Sequence, residues 1–122
     1  VESFTPTLYS LLADYKPMAN FSTLNSNQDS VQVTFYALML GSSPDEVRDE
    51  WYEILETTNA TLSSIPNFRY LTDDGAFHTF LASPKAYEEG AGGVRVVDWI
   101  KLLVRPGRTG WETVDVGPPS QN

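Results

Sequence analysis

Two short strand patterns, separated by two helix patterns, constrain the fold of this chain most. Residues 18–24 and 65–72 have strand-like composition, and turn residues bound each of them. Helix patterns lie between them, from Asp29 to about Leu40 and from Pro44 to about Ser64. The second begins with a capping-box pattern, in which Ser43 is the N-cap and Glu46 is the third helical residue. Because strands alternate with helices, we predict an α/β fold, in which a parallel sheet carries helices on both faces.

The remaining patterns predict a helix at each end of this core and a short last strand. The first helix spans residues 5–16, and its apolar face consists of Leu8, Leu11, Leu12 and Tyr15. The last helix spans residues 94–104. A short strand is expected after Gly110, followed by a disordered tail over residues 117–122. Two or three strands make a small parallel sheet, so the elements look like one end of a larger α/β domain.

Composition limits the possible partners and cofactors. Sixteen acidic against eight basic residues give a net charge of -8, which disfavours binding to nucleic acid and to anionic membranes. The chain has no cysteine, which excludes a disulfide scaffold and a thiolate zinc site within these residues. A single histidine with scattered acids forms no metal-binding pattern, and no glycine-rich nucleotide loop is present. We therefore expect no cofactor and no metal.

Asp29 and His78 are the candidate catalytic residues. Each lies just after a predicted strand, at the edge of an α/β sheet where ligands and catalytic groups collect. If the two strands are neighbours, the carboxylate can reach the imidazole, fix its tautomer and stabilise its charged form. Asp29 also starts a helix, so it has an alternative role as an ordinary N-cap.

An acid and a histidine are two members of a three-residue catalytic set, and the nucleophile is missing. The sequence has no G-x-S-x-G turn, and Ser22, Ser26 and Ser30 do not lie on a glycine turn between strand and helix. In α/β-hydrolases the order along the chain is serine, acid, histidine. The expected serine therefore belongs upstream of Asp29, outside these residues.

The segments around Asp29 and His78 resemble one known family. The first has an acid, two residues, a glutamine and an aromatic pair in a helix: Asp29, Gln32, Phe35 and Tyr36. The second carries an ordered set around the histidine: Asn67, Phe68, Arg69, Gly75, His78, Thr79, Leu81, Pro84, Tyr87, Gly93, Val94, Asp98 and Trp99. Both resemble bacterial members of the pectin acetylesterase family, which also includes plant pectin acetylesterases and the Notum carboxylesterases.

The resemblance covers roughly residues 18–104 and carries several implications. The length of residues 1–122 predicts a single domain, and the resemblance implies that they can instead be the C-terminal part of a larger α/β-hydrolase domain. It implies a serine carboxylesterase that acts on acetyl esters of a polysaccharide, with Asp29 as the triad acid and His78 as the general base. The serine would come from an N-terminal part or a second chain, so the isolated chain would be inactive. The family also implies a secreted or cell-envelope location.

Two other interpretations are open on the sequence alone. The chain can be a non-catalytic binding or interaction domain derived from the hydrolase fold, with the carboxylate of Asp29 beyond hydrogen-bond reach of His78. It can also be an independent α+β domain in which Asp29 is only a helix cap. The distance between these two side chains separates the alternatives.

Overall fold

The computed structural model describes residues 4–120, and its centre is an open sheet of three parallel strands. The strands are β1 (Phe21–Ser26), β2 (Phe68–Asp73) and β3 (Val114–Asp115), and they lie side by side in that order. Both neighbouring pairs are parallel, with Phe21 opposite Phe68 at the start of the first pair. The predicted α/β class with a parallel sheet is confirmed, and the arrangement is consistent with part of an α/β-hydrolase sheet.

Four helices in the described part flank the sheet. They are α1 (Phe4–Tyr15), α2 (Ser30–Leu40), α3 (Pro44–Leu62) and α4 (Val96–Leu103), and a 3-10 turn spans Pro84–Tyr87. The predicted start of α3 is confirmed, because Ser43 precedes the helix and its N–H donates to the Glu46 carboxylate at 2.8 Å.

Both faces of the sheet are covered, as the alternation of strands and helices predicts. On one face, Phe68 and Tyr70 pack with buried residues of α1 and α3. On the other face, Leu71 packs with Trp99 of α4 and with Trp111, which is fully buried. Period-two alternation along β2 sends neighbouring side chains to opposite layers, so this strand joins the two cores.

The two long strands begin three residues later than predicted. Residues 17–19 belong to a turn in which the Ala19 N–H donates to the Lys16 carbonyl at 3.0 Å. The chain just before Phe68 also turns, because the Ile65 N–H bonds back to the Leu62 carbonyl at the end of α3. The strand-like composition of these residues was therefore misleading, since their N–H groups close turns and do not pair with a neighbouring strand.

The predicted apolar face of α1 is wrong. Its four members, Leu8, Leu11, Leu12 and Tyr15, are 38–75% exposed. The helix instead packs through Ala13, which is buried, and through Tyr9, whose ring meets Phe68 edge-on at 5.3 Å between centroids. The position of α3 and the sheet decides which side of α1 is covered, and the periodicity of the helix does not contain that information.

Helix α2 has apolar residues on most of its circumference, and among residues 4–120 it is covered on one side. Val33 and Ala37 are buried against α3. The opposite side exposes large apolar residues, namely Val31, Phe35, Leu38 and Met39. Between Lys16 and Asp45 the sequence has one charged residue, Asp29, and that residue is buried. Apart from the buried Asp29, neither β1 nor α2 contributes a charged side chain to the surface of this strongly acidic protein.

The segment after β3 contacts the loops that follow β1 and β2. The carbonyl of Gly117 accepts a hydrogen bond from Asn27 Nδ2 at 3.2 Å, and the Ser120 hydroxyl donates to the Asp74 carboxylate. The bond from Ser120, with a smaller contribution from Asn27, lowers the pKa of Asp74.

Residues 121 and 122 of the predicted disordered tail lie outside the described residues, and the disorder itself stays a prediction. No helix within residues 4–120 combines the length and the apolar character of a membrane span.

Two tyrosines, Tyr70, which is buried, and Tyr52, which is partly buried, should make the fold sensitive to alkaline pH. Burial and the nearby Glu56 charge raise the pKa of Tyr52 from 10.0 to about 12. Burial and the hydrogen bond from its hydroxyl to Asp115 raise the pKa of Tyr70 well above 10.0. The unfolded chain loses these protons first, so the free energy of unfolding should fall as pH rises above 10. Urea unfolding at pH 8 and pH 11 measures this fall.

Two variants test whether the Tyr70 hydroxyl causes this loss of stability at alkaline pH. Tyr70→Phe keeps the ring and removes the hydroxyl, so its loss of stability between pH 8 and 11 should be smaller than that of the wild type. Tyr87→Phe changes a side chain that is 70% exposed and should leave the pH dependence unchanged. An equal loss of stability in the wild type and Tyr70→Phe would contradict the assignment.

Candidate active site

The loops that follow β1 and β2 run side by side at the carboxyl edge of the sheet. The N–H groups of Asn27, Gln28 and Ser30 donate to the carbonyls of Asp73, Gly75 and Ala76, at 2.9, 3.0 and 3.1 Å respectively. These bonds extend the contact between the two strands beyond their ends. As a result, Asp29, three residues after β1, and His78, five residues after β2, lie next to each other.

Asp29 is the N-cap of α2. Its Oδ1 accepts hydrogen bonds from the N–H groups of Val31 and Gln32, at 3.0 Å each. The side-chain amide of Gln32 donates to Oδ2 at 3.1 Å. Asp29 is only 2% exposed, so these bonds and the helix N-terminus take the place of water around the carboxylate. The predicted cap role of Asp29 is therefore present in the structure.

The same carboxylate also contacts His78, so Asp29 caps α2 and pairs with the histidine at the same time. His78 Nδ1 lies 2.8 Å from Asp29 Oδ2 and 3.0 Å from Oδ1. An ionised carboxylate only accepts hydrogen bonds, so Nδ1 carries the proton and Nε2 of the neutral ring holds a lone pair. The His78 side chain is 42% exposed, and no residue in the range 4–120 forms a hydrogen bond with Nε2. This nitrogen is available to accept a proton from an incoming group.

The backbone on both sides of His78 is held in place. The Ser26 hydroxyl donates to the carbonyl of Phe77, the residue before His78. Thr79, the residue after it, has φ of 60°, an uncommon conformation for a β-branched residue. Strained backbone of this kind occurs most often at functional sites, where the surrounding contacts impose it. The peptide units around the imidazole are therefore constrained independently of its contact with Asp29.

The sequence reasoning missed the residues that hold this arrangement. Ser26 is 1% exposed and Asn27 is 0% exposed, yet both lie in a polar run that resembles an ordinary solvent-exposed turn. Their burial depends on the loop after β2, which is distant in the sequence. The only available signal was the density of short polar residues directly before Asp29. None of the serines in the described part forms a hydrogen bond with His78, so the predicted need for an external nucleophile stays a prediction.

Asp73 connects the end of β2 to the turn near Gly90. Its Oδ1 accepts from the N–H of Ala91 at 2.7 Å and from the N–H of Asp74 at 2.9 Å. A methyl group at Gly90 would lie 2.3 Å from Oδ2, far inside contact distance. Gly90 is therefore required by the close approach of this carboxylate.

Gly90→Ala should destabilise the protein by about 1–3 kcal/mol, because the Asp73 carboxylate must move away from the Ala91 N–H. Urea unfolding of Gly90→Ala, Asp73→Ala and the double variant measures the effect. If the clash is the cause, the double variant loses less stability than the two single variants combined. Additive losses would contradict this explanation.

Comparisons of the chain with protein-family models, curated proteins and solved structures found no significant match. The resemblance to the pectin acetylesterase family therefore rests on the sequence pattern alone and stays a prediction. Among residues 4–120, no group of three or more histidine, cysteine or acidic side chains is arranged to hold a metal ion.

Proposed function

We propose that this chain supplies the acid and the general base of a serine carboxylesterase. The observation that carries the proposal is the contact between Asp29 and His78, at the carboxyl edge of a parallel sheet, with Nε2 of the imidazole accessible. From the family resemblance, we propose an acetyl ester on a polysaccharide as the substrate and a secreted or cell-envelope location. The nucleophilic serine belongs to an N-terminal part or a second chain.

The proposed reaction uses His78 twice as a proton carrier. Nε2 takes the proton of the serine hydroxyl while the serine oxygen attacks the ester carbonyl carbon, and the same proton then goes to the departing alcohol. A water molecule next gives a proton to Nε2 while its oxygen attacks the acyl carbon. The bond between that carbon and the serine oxygen then breaks, the Nε2 proton passes to the serine oxygen, and the carboxylic acid leaves. Throughout, the Asp29 carboxylate stabilises the imidazolium and holds it in one orientation.

The described surface includes a suitable place for the part that carries the serine. Only one edge of β1 is paired with another strand in residues 4–120, so the outer edge can accept a further strand. Helix α2, which follows β1 in the chain, exposes the apolar side formed by Val31, Phe35, Leu38 and Met39. Helices that are apolar on most of their circumference are normally buried, which supports a partner on this side.

The contact distance favours this proposal over the two alternatives. A non-catalytic domain gives no reason for Asp29 and His78 to meet, and its expected separation is contradicted by the 2.8 Å contact. An independent domain with Asp29 as a plain cap requires the bonds to Val31 and Gln32 but not the bond to His78.

Hydrolysis of p-nitrophenyl acetate tests the proposal. The 122-residue chain alone should hydrolyse the ester no faster than its His78→Ala variant, because the nucleophile is absent. The natural protein, in which intact-mass measurement should reveal additional polypeptide, should be active and should lose its activity in His78→Ala. If the natural protein is active and His78→Ala leaves that activity unchanged, the proposal is overturned.

A further inference from the structure

Asn27 lies at the junction of the three loops that follow β1, β2 and β3. Its side-chain Oδ1 accepts a hydrogen bond from the N–H of Gly75 at 3.1 Å, and its Nδ2 donates to the carbonyl of Gly117 at 3.2 Å. Its own N–H donates to the carbonyl of Asp73 at 2.9 Å. One fully buried amide therefore bonds to the loop that leads to His78 and to the segment after β3.

The position of Asn27 in the chain links these bonds to the catalytic pair. Asn27 is two residues before Asp29, and Gly75 is three residues before His78. The bond between Asn27 and Gly75 therefore joins the two loops close to the point where the carboxylate meets the imidazole. A shift of either loop changes the geometry of that contact.

Burial makes these bonds energetically important. A buried amide that loses its partners keeps the full penalty of its removal from water. Truncation of Asn27 also leaves the Gly75 N–H and the Gly117 carbonyl without their side-chain partner. Gly75 and Gly117 are half-buried, so water can replace the lost partner, but water does not fix the distance between the loops and leaves His78 free to shift relative to Asp29.

We infer that Asn27 is a positioning residue for the Asp29–His78 pair. It acts through Gly75 and sets the position of the His78 loop relative to Asp29. This inference rests on the proposed function, because the position of His78 matters for catalysis only if His78 is the general base. A displacement of about 1 Å at such a base costs roughly 10²-fold in rate. In the assembled enzyme, Asn27→Ala should therefore lower kcat by roughly 10- to 100-fold and leave KM nearly unchanged.

The isolated 122-residue chain allows a direct structural test, because His78 is its only histidine. With ¹⁵N-labelled protein, NMR correlations of the imidazole ring report which nitrogen carries the proton. In the wild type the proton should lie on Nδ1 and exchange slowly with water. In Asn27→Ala the ring should show a mixture of tautomers, and the Nδ1 proton should exchange roughly tenfold faster or more. Asn27→Ser, which is too short to reach both partners, should show the same change if Asn27→Ala does not fold.

Asn67→Ala is the matched control. Asn67 is also buried, and its Nδ2 bonds to the carbonyls of Lys16 and Ala19 at the opposite end of the sheet. This variant should lose stability and keep the wild-type tautomer of His78. If folded Asn27 variants keep the wild-type tautomer and exchange rate, the positioning role is wrong.

Asp29→Asn separates this inference from the proposed function. If Asp29→Asn changes the His78 tautomer and the Asn27 variants do not, the catalytic pair stands and the role of Asn27 is refuted. If Asp29→Asn itself leaves the tautomer unchanged, the pair fails and the proposed function fails with it.

Discussion

Asp29→Asn is expected to reduce ester hydrolysis by the assembled enzyme roughly 10⁴-fold and to change the free energy of unfolding by no more than about 0.5 kcal/mol. Asparagine is as good an N-cap as aspartate, so its carbonyl oxygen can still accept from Val31 and Gln32. Its amide group, however, cannot accept the Nδ1 proton of His78 as the second carboxylate oxygen does. The imidazole then adopts the wrong tautomer, and its charged form loses the neighbouring negative charge.

Two further variants complete this experiment. Asp29→Ala removes the cap as well as the charge, so it should lose activity to a similar degree and also about 1 kcal/mol of stability. Asp45→Asn makes the same chemical change in the first turn of α3 at an exposed side chain, and it should leave hydrolysis unchanged. Initial rates on p-nitrophenyl acetate and urea unfolding supply the two readouts. Full activity in Asp29→Asn would show that Asp29 is a cap and nothing more.

Trp111→Ala is expected to cause the largest loss of stability. Trp111 is 0% exposed, its ring lies 5.8 Å from that of Trp99, and the Arg69 guanidinium lies 5.5 Å from its centroid. Removal of a buried aromatic side chain costs about 3–5 kcal/mol, because the contacts are lost and a cavity forms. Small domains are stable by only about 5–15 kcal/mol, so the variant should be close to unfolding at 37 °C.

Thermal unfolding followed by circular dichroism measures this effect. The midpoint of Trp111→Ala should fall by roughly 10–20 °C. Tyr87→Ala, which truncates an aromatic residue that is 70% exposed, should stay within about 0.5 kcal/mol of the wild type. If both variants unfold at the wild-type temperature, the described packing of Trp111 is wrong.

Local sequence signals predicted those parts of the fold that depend on neighbouring residues. Ser43, Pro44 and Glu46 marked the start of α3, and Asp29 marked the start of α2, because caps act within one helical turn. The parallel sheet followed from the alternation of strands and helices. The proximity of Asp29 and His78 followed from one further assumption, that the two predicted strands are neighbours, which the structure bears out.

Features set by distant contacts could not be predicted in this way. The apolar spacing in α1 identified Leu8, Leu11 and Leu12 as one side of a helix, but it could not show that α3 covers the other side. In the same way, nothing near Asn27 in the sequence indicates that Gly75 and Gly117 lie against it. Asn27 was missed because its partners lie 48 and 90 positions away, and Ser26 because its partner lies 51 positions away.

The parallel pairing of β1 and β2 also determines when the site forms during folding. Each helix can begin to form from signals within a few residues, whereas Phe21 must find Phe68, 47 positions later in the chain, before the first pair of strands exists. Closing such a long loop costs entropy before any contact compensates, which makes non-local parallel pairing slow compared with helix formation. No partly folded form with helices alone can bring Asp29 to His78. In refolding experiments, the protected Nδ1 proton of His78 should therefore appear together with the sheet and after the helical signal.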